Sequence, residues 1–289
     1  MIKAVFHNEY IGSRRDQGDA DIVLLGCPLD ITSSFRCGSK FGPESLRRAS
    51  WTLETYSPYL DRDLEDINFS DMGDLELPQG NLLESLDIIE NASGAVFESG
   101  RKPFFFGGEH LVTYPIMKGV KKVFPVFQIV HFDAHCDLRD DYEGQRLSHA
   151  TVMKRVSELG NITIRQIGVR SGTRQEFREL TPVDSAEALK AGLDPEIPVY
   201  ISFDIDVFDP SLVPGVTTPE PGGLLFKEVM DYLKALQGLT IIGADLVELA
   251  PDYDITFVSS VCAAKVVREI VMLMGAGELK SISEPLRQG

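Results

Sequence analysis

Cysteine is scarce in this sequence, which excludes a fold held together by disulfides. Only 4 of the 289 residues are cysteines, and they form neither a CxxC pair nor a spacing typical of a zinc site. So sparse a set in a chain of this length predicts reduced thiols and a cytoplasmic protein. The N-terminal residues also lack the basic-then-apolar pattern of a signal peptide.

Long apolar runs and positive charge are also lacking. No run approaches the roughly 20 apolar residues of a membrane-spanning helix, and the most apolar late segment, 261–275, contains Lys265, Arg268 and Glu269. The sequence contains 44 Asp and Glu but only 28 Lys and Arg, which gives a net charge of −16. Such a surface repels phosphate backbones and anionic lipids, so we expect neither nucleic acid nor membrane as a partner. It would attract a small cationic molecule.

What is present is an alternation of short apolar runs with amphipathic segments, without internal repeats. The predicted strands are 22–26, 103–106, 126–132, 162–169, 198–203 and 239–243, and the predicted helices follow Asn81 and cover 149–159, 225–236 and 258–274. Several strands are apolar on both faces, which is typical of a parallel sheet covered by helices on both sides. The segment 57–80 is predicted to be loop-rich. No linker divides the chain, so we predict one catalytic domain over residues 1–289.

Acidic and histidine side chains gather where three of these strands end. The motif DAHCD follows VFQIVHF, DID follows PVYISF, and GGEH follows PFFF. Ligands bind at the carboxyl ends of parallel strands, and alternate residues of an extended chain point to the same face. We therefore expect six side chains to converge there: His110, Asp133, His135, Asp137, Asp204 and Asp206.

These six groups indicate a metal centre. A lone histidine such as His110, or a single Asp-x-Asp pair, is more often structural. Four carboxylates at one sheet edge would repel one another strongly unless a cation compensated them. Carboxylates and imidazoles without cysteine favour a hard or borderline ion, Mn²⁺ first. Six groups exceed the needs of one ion, so we predict two ions that share carboxylates and turn a bridging water into hydroxide.

The motifs GGEH, DAHCD and SFDIDVFDP, in this order and spacing, resemble those of the ureohydrolase family of arginases and agmatinases. The similarity extends to RCGSKFGPESLRRAS, SDMGD, LSHAT and GADLVELAP, and the segment DLRDDYEGQRLSHAT is most similar to bacterial agmatinases. The resemblance implies an arginase-like three-layer α/β/α sandwich on a mostly parallel, eight-stranded sheet. It also implies a homo-oligomer, a trimer or a hexamer.

The resemblance further implies roles for individual residues. One Mn²⁺ would be held by His110, Asp133, Asp137 and Asp204, and the other by Asp133, His135, Asp204 and Asp206. His149 would shuttle protons, Glu248 would hold the substrate guanidinium, and Thr218 would lie nearby. The implied reaction is attack of a metal-bridging hydroxide on the guanidinium carbon, which releases urea and an amine. Asp137 would accept the proton of the hydroxide, and His149 would help protonate the departing amine.

The loop after DAHCD bears on which guanidino compound is the substrate. Asp140, Asp141 and Glu143 would attract the ammonium of agmatine, which favours hydrolysis of agmatine to putrescine and urea. Arg139 and Arg146 in the same loop would instead receive a carboxylate. They keep guanidinobutyrate, guanidinopropionate and arginine as alternative substrates.

An alternative of a different class is a non-catalytic relative that binds metal or a polyamine. The presence of all six ligand positions together with His149 and Glu248 disfavours it. Glu248 and the DAHCD motif disfavour a metal-dependent amide deacetylase. Of the neighbouring residues, we expect His131 to support the site from within its strand, Ser148 to cap the following helix, and His7 to lie on the surface.

Overall fold

The computed structural model describes residues 4–5, 8–14 and 18–276 of the chain. His7 lies outside these residues. The strands are β1 Ala4–Val5, β2 Ile22–Cys27, β3 Tyr56–Ser57, β4 Arg62–Asp63, β5 Phe69–Leu75, β6 Lys102–Gly107, β7 Phe127–Phe132, β8 Ile162–Ile167, β9 Val199–Asp204 and β10 Ile241–Val247. The α-helices are α1 Gly42–Ser50, α2 Leu82–Glu98, α3 Thr113–Lys121, α4 Val152–Ser157, α5 Glu176–Glu179, α6 Ala186–Gly192, α7 Phe226–Ala235 and α8 Val258–Met274.

Eight of the strands form one sheet in the order β1-β5-β2-β6-β10-β9-β7-β8. Strand β1 runs antiparallel to β5, whereas every other neighbouring pair in this sheet is parallel. Parallel neighbours need crossovers, and the helices provide them. The predicted mostly parallel, eight-stranded sheet is confirmed.

Helices cover both faces of the sheet, because strand side chains alternate between two apolar cores. In β6, Phe104 and Phe106 face one core and Phe105 faces the other. Residues of α1, α6, α7 and α8 pack in the first core, and residues of α2, α3 and α4 pack in the second. Burying both faces explains why the central strands read as continuous apolar runs. The predicted α/β/α sandwich is confirmed.

One element corrects the sequence analysis. The segment predicted to be loop-rich, 57–80, contains strand β5 within the sheet, beside β2. Its sequence FSDMGDL does not look like a buried strand because Asp71 and Asp74 lie within it. Both carboxylates are buried against Arg47 of α1, whose Nε lies 2.8 Å from Asp71 Oδ2 and whose Nη1 bonds Asp74. The ion pairs make burial of these charges tolerable.

Helix ends follow the capping signals in the sequence. The side chain of Asn81 accepts a hydrogen bond from the backbone N–H of Glu84 and donates one to its carboxylate, at the start of α2. The predicted helix 149–159 is instead a 3₁₀ turn over His149–Thr151 followed by α4, and the side chain of Ser148 caps the turn as expected. Within the described residues, no helix is long and apolar enough to cross a membrane.

Candidate metal centre and substrate pocket

The structure brings all six predicted ligand residues to one edge of the sheet. Strands β6, β10, β9 and β7 are adjacent, so their carboxyl ends meet. His110 begins a 3₁₀ turn after β6, the DAHCD segment follows β7, and Asp204 ends β9. Asp137 turns back towards the cluster with φ of 55°, a left-handed conformation that is uncommon outside glycine.

Three carboxylates surround one ring nitrogen of His110. His110 Nδ1 lies 3.1 Å from Asp133 Oδ2 and 3.2 Å from both Asp137 Oδ2 and Asp204 Oδ2. The nitrogen is buried, and the described residues offer it no partner in hydrogen-bonding geometry. A ring nitrogen carries at most one hydrogen, which cannot serve three oxygens at once. Four donor atoms around one point are what a bound cation requires.

A second group forms around His135. Its Nδ1 lies 3.0 Å from Asp206 Oδ2 and 3.4 Å from Asp133 Oδ1. Asp133 therefore offers Oδ2 to the first group and Oδ1 to the second. A carboxylate that reaches into two ligand groups can bridge two ions. The residues present thus fit a binuclear centre, with His and Asp as the only ligand types.

The electrostatics of the cluster show an excess of negative charge. Burial raises the pKa of Asp204 well above its usual range, and the charges of Asp206 and Asp133 add to this effect. Burial opposes protonation of His110, but the close carboxylates of Asp133, Asp137 and Asp204 outweigh it and raise the His110 pKa. Some carboxylates of the cluster resist ionisation and the histidines retain protons, because the cluster lacks positive charge. A bound cation would supply it.

A second layer of polar residues orients the ligands. His110 Nε2 lies 3.2 Å from Ser202 Oγ, and Ser202 donates a 2.8 Å hydrogen bond to Asp245 Oδ1. On the other side, His131 Nε2 lies 2.9 Å from Asp133 Oδ2. Gln166 Nε2 lies 3.0 Å from His131 Nδ1, and because an amide nitrogen only donates, His131 must donate to Asp133. His131 thus supports the site as expected.

Ser202 and Asp245 were missed by the sequence analysis. Both lie in strand interiors, and Asp245 interrupts the apolar run IIGADLV of β10. A carboxylate buried in a central strand is costly unless several donors satisfy it. Tyr200, Thr113 and Ser202 supply those donors here. The charged residue within an apolar strand was the signal that could have identified this layer.

Glu248 lies beside the cluster, immediately after β10. Its backbone has φ of 66°, a strained conformation for a non-glycine residue. Its Oε1 accepts a 2.5 Å hydrogen bond from the backbone N–H of His110, and its Oε2 accepts one from Thr217 Oγ1. Burial raises the pKa of Glu248 to about 8, although these two donors lower it. An anion so placed can hold a cationic group close to the metal cluster.

His149 and Thr218 face the same pocket. Thr218 Oγ1 lies 3.3 Å from Asp206 Oδ2. His149 also lines the pocket, and its ring packs edge-on against Tyr142 with 5.5 Å between ring centroids. The cavity between them has a volume of about 260 Å³. It is lined by Ser34, His110, His135, Cys136, Asp137, Arg139, Tyr142, His149, Ala150, Ser171, Gly172, Glu176, Asp204, Thr218 and Glu248.

The predicted substrate-binding acids of the loop are not among the described residues that line the cavity. Asp140, Asp141 and Glu143 are exposed, and Asp140 lies 3.8 Å from the amine of Lys154. Besides Asp137, Asp204 and Glu248, the acid that lines the cavity is Glu176, which the sequence analysis missed. Glu176 is 3% exposed and accepts hydrogen bonds from the backbone N–H groups of Leu138 and Thr173.

The two arginines of the loop have separate environments. Arg146 is exposed and pairs with Glu158 at 3.1 Å. Arg139 lines the cavity, where its guanidinium lies 4.9 Å from the ring centroid of Tyr142 and its Nε lies 3.7 Å from Glu176 Oε2. Only Arg139 is therefore placed to meet a bound substrate.

The parallel sheet, the six converging His and Asp side chains and the adjacent Glu248 form a site that could hold metal ions beside a cationic substrate. The model of the arginase family matches residues 20–273, so the chain belongs to this family. The predicted class, an agmatinase-like ureohydrolase, is confirmed.

Individual relatives and a solved structure are similar to the chain over most of its length. The chain is 44% identical to the agmatinase of Bacillus subtilis over 276 residues, which is 91% of this chain and 95% of the relative. It is 34% identical to the guanidinobutyrase of Pseudomonas aeruginosa, over 88% of this chain and 86% of that protein. The solved structure of the agmatine ureohydrolase of Thermoplasma volcanium matches with a TM-score of 0.82 and 32% identity, covering 93% of this chain and 95% of that chain.

Proposed function

We propose that this protein hydrolyses agmatine to putrescine and urea at a centre that holds two Mn²⁺ ions. The observation that carries the proposal is the placement of Glu248, a buried acid 2.5 Å from the backbone N–H of the ligand residue His110. A guanidinium held there lies next to the metal cluster. The agmatinase of Bacillus subtilis and other relatives named agmatinase support this substrate.

The ligand sets follow the two groups of donor atoms. His110, Asp137, Asp133 and Asp204 would hold one ion, and His135, Asp206, Asp133 and Asp204 the other. Asp204 directs Oδ2 to His110, while its Oδ1 accepts a 2.8 Å hydrogen bond from the backbone N–H of Asp206. When bound, the metal pair would compensate the carboxylates and supply hydroxide at neutral pH.

Residues of the chain perform the remaining steps. Glu248 would hold the guanidinium and orient its carbon, which converts binding into proximity. Asp137, in the cluster and 7% exposed, would take up the proton of the attacking water. His149, which lines the cavity, would act as a proton shuttle that takes up a proton at its ring nitrogen and delivers it to the departing amine. Thr218, bonded to Asp206, would complete the wall beside the guanidinium.

Charge at the outer part of the cavity favours a cationic tail. Glu176 is a buried carboxylate there, and it is the acid that would attract the ammonium of agmatine. The guanidinium of Arg139 already contacts the ring of Tyr142 and lies near the carboxylate of Glu176, so it is not turned towards a substrate. In place of the exposed loop acids Asp140, Asp141 and Glu143, we therefore assign the ammonium contact to Glu176.

Guanidinobutyrate is the second candidate substrate. Arg139 lines the cavity, and rotation away from Glu176 would present it to a carboxylate. The similarity to a guanidinobutyrase supports this alternative. Urea release from agmatine, arginine, guanidinobutyrate and guanidinopropionate by Mn²⁺-loaded protein distinguishes the candidates. Agmatine should have the highest kcat/KM; a preference for a guanidino acid would transfer the specificity role to Arg139.

A single substitution tests the metal assignment. Asp204→Asn removes a carboxylate assigned to both ions, so we expect turnover to be abolished and manganese content to fall. Manganese is measured by elemental analysis of the purified variant, with Asp209→Asn as the matched control because Asp209 bonds only loop backbone nearby. Wild-type rates with full metal content in the Asp204 variant would refute the assignment.

Three further properties belong to the same proposal. The whole chain would act as one catalytic domain, in a homo-oligomer, in the cytoplasm. The reduced cysteines agree with a cytoplasmic location, since all four are free and three of them are buried. Light scattering of the Mn²⁺-loaded protein measures the oligomeric state, and a monomer would contradict the expected trimer or hexamer.

A further inference from the structure

A chain of hydrogen bonds runs from the cavity to a fully buried acid and passes through His149. Tyr142 OH lies 3.4 Å from Ser34 Oγ, and Ser34 Oγ lies 3.4 Å from His149 Nε2. On the other side of the ring, His149 Nδ1 lies 3.4 Å from Thr32 Oγ1, which donates a 2.7 Å hydrogen bond to Glu109 Oε1. None of the roles assigned above uses Thr32 or Glu109.

Glu109 anchors the loop that carries Thr32. Its Oε2 accepts hydrogen bonds from the backbone N–H groups of Ile31 and Thr32, both at 2.6 Å. The preceding residue, Gly108, lies so close to this loop that an added Cβ would be 1.9 Å from the carbonyl oxygen of Leu29. The GGEH turn therefore provides the ligand His110 and, one residue earlier, the anchor of the loop that faces His149.

The donors and acceptors of this chain have one consistent direction. Thr32 gives its only hydroxyl hydrogen to Glu109, and its oxygen accepts a 3.0 Å hydrogen bond from the backbone N–H of His149. That oxygen can only accept from the His149 ring, so Nδ1 must carry the hydrogen. Nε2 is then the acceptor, and Ser34, which accepts from Tyr142, can donate to it.

Ser148 is a second hydroxyl near Nδ1, at 3.3 Å. If Ser148 donated to Nδ1, the lone pairs of Nδ1 and Thr32 Oγ1 would face each other without a hydrogen between them. If Nδ1–H donates to both oxygens, all three groups are satisfied. The second arrangement is favoured because buried polar groups are costly when they have no partner.

We propose that Glu109 and Thr32 are positioning residues that hold His149 as the Nδ1–H tautomer, so that Nε2, beside Ser34 at the cavity, is the nitrogen that takes up a proton. The inference rests on the role of His149 in the proposed function. The GGEH segment would then form the tight turn, provide the metal ligand His110 and position His149 through Glu109. The acid acts on the histidine through a threonine hydroxyl.

The first test compares two substitutions of Thr32. Thr32→Val keeps the shape and removes the hydroxyl, whereas Thr32→Ser keeps the hydroxyl. We expect the valine variant to lose about tenfold in kcat/KM for agmatine, and the serine variant to recover most of it. Thr52→Val is the matched control, because its hydroxyl bonds only the carbonyl of Ala49 at the end of α1.

The tautomer itself has a readout that needs no substrate. Diethyl pyrocarbonate reacts with an unprotonated ring nitrogen, and mass spectrometry of the peptide that contains His149 gives the rate at that residue. We expect Thr32→Val to reduce this rate by about the same factor as kcat/KM, and Thr52→Val to leave it unchanged. Thr32→Ser should react like the parent protein.

Glu109→Gln tests the direction of the chain. Its amide would donate to Thr32, which would turn the hydroxyl hydrogen towards Nδ1 and leave the hydrogen of His149 on Nε2. We expect slower modification of His149 and lower kcat/KM, and no further loss when Glu109→Gln is added to Thr32→Val, because both act through one path. This variant also carries the test if Thr32→Val fails to fold.

An unchanged rate of His149 modification in folded Thr32→Val and Glu109→Gln variants would overturn the proposal, even if activity fell. Additive losses in the double variant would overturn it as well. The modification rate does not depend on the substrate, so the positioning role can stand when agmatine is not hydrolysed. Absence of urea release with the expected change in His149 reactivity would therefore count against the proposed function alone.

Discussion

At the residue scale, the properties of the site depend on which groups surround each titratable atom. Glu248 is buried beside an anionic cluster, and burial raises its pKa to about 8. Only the ionised carboxylate attracts a guanidinium. Its place after β10, at the edge where the six His and Asp residues meet, supports the proposed substrate contact, although the sequence around it is also compatible with an ordinary solvated acid.

This pKa gives a pH dependence. Protonation removes the charge of Glu248, so kcat/KM for agmatine should fall about tenfold per pH unit below the Glu248 pKa and level off above it. Bound Mn²⁺ would lower this pKa from the value of the metal-free cluster. Thr217→Val removes a donor that lowers this pKa and should move the inflection to higher pH. Steady-state kinetics from about pH 5 to about pH 9.5 measure both. An inflection that Thr217→Val leaves in place would contradict the role of Glu248.

Ser202 also acts at the residue scale, through its contact with His110. Removing its hydroxyl releases His110 Nε2 from the buried Asp245, so Ser202→Ala should weaken manganese binding about tenfold. Titration of metal-free protein with Mn²⁺, with free ion followed by electron paramagnetic resonance, measures the affinity. Ser93→Ala is the matched control, because this buried hydroxyl bonds the carbonyl of Ile116, in α3. Equal affinities in the two variants would refute the link.

At the scale of secondary structure elements, the sequence predicted what depends on local pattern. The central strands β6, β7, β9 and β10 were recognised from apolar runs, and the metal motifs were placed at their ends. Strand β5 was missed because two of its residues are carboxylates that only Arg47, 24 residues away from Asp71, makes compatible with burial. A partner so distant in sequence leaves no local periodicity to detect.

The same reasoning explains which site residues were found. The six ligand residues follow strand ends in recognisable motifs, so they could be predicted and the fold brings them together. Glu176 begins the short helix α5 and Thr32 lies in a loop, and their relation to the cavity depends on how separate segments pack. Glu176 reaches the cavity by bonding the backbone N–H groups of Leu138 and Thr173, which are 35 residues apart by number.

Strand β5 and helix α1 should depend on Arg47 for stability. Arg47→Met fills a similar volume but leaves Asp71 and Asp74 buried without a counter-charge, which should lower the free energy of unfolding by about 3–5 kcal/mol. Arg48→Met, on the exposed side of the same helix, should cost under about 1 kcal/mol. Urea denaturation of both variants measures the difference. Similar losses in the two would show that the buried ion pairs do not stabilise the fold.

At the scale of the whole molecule, acidity and function are consistent. A net charge of −16 favours approach of a cationic substrate and of divalent ions over that of polyanions. The family match over residues 20–273 covers the sheet from β2 and almost all of α8, so the arginase-family fold accounts for the described chain from Ala20 onward.

The central claim is that urea release from agmatine requires two manganese ions bound by this cluster. Metal-free protein is titrated with Mn²⁺ while bound manganese per chain and the rate of urea release are measured on the same samples. The rate should rise with the metal content and reach its maximum at two ions per chain. Full activity with one ion or none would contradict the binuclear centre, and two bound ions without urea release would contradict the assigned reaction.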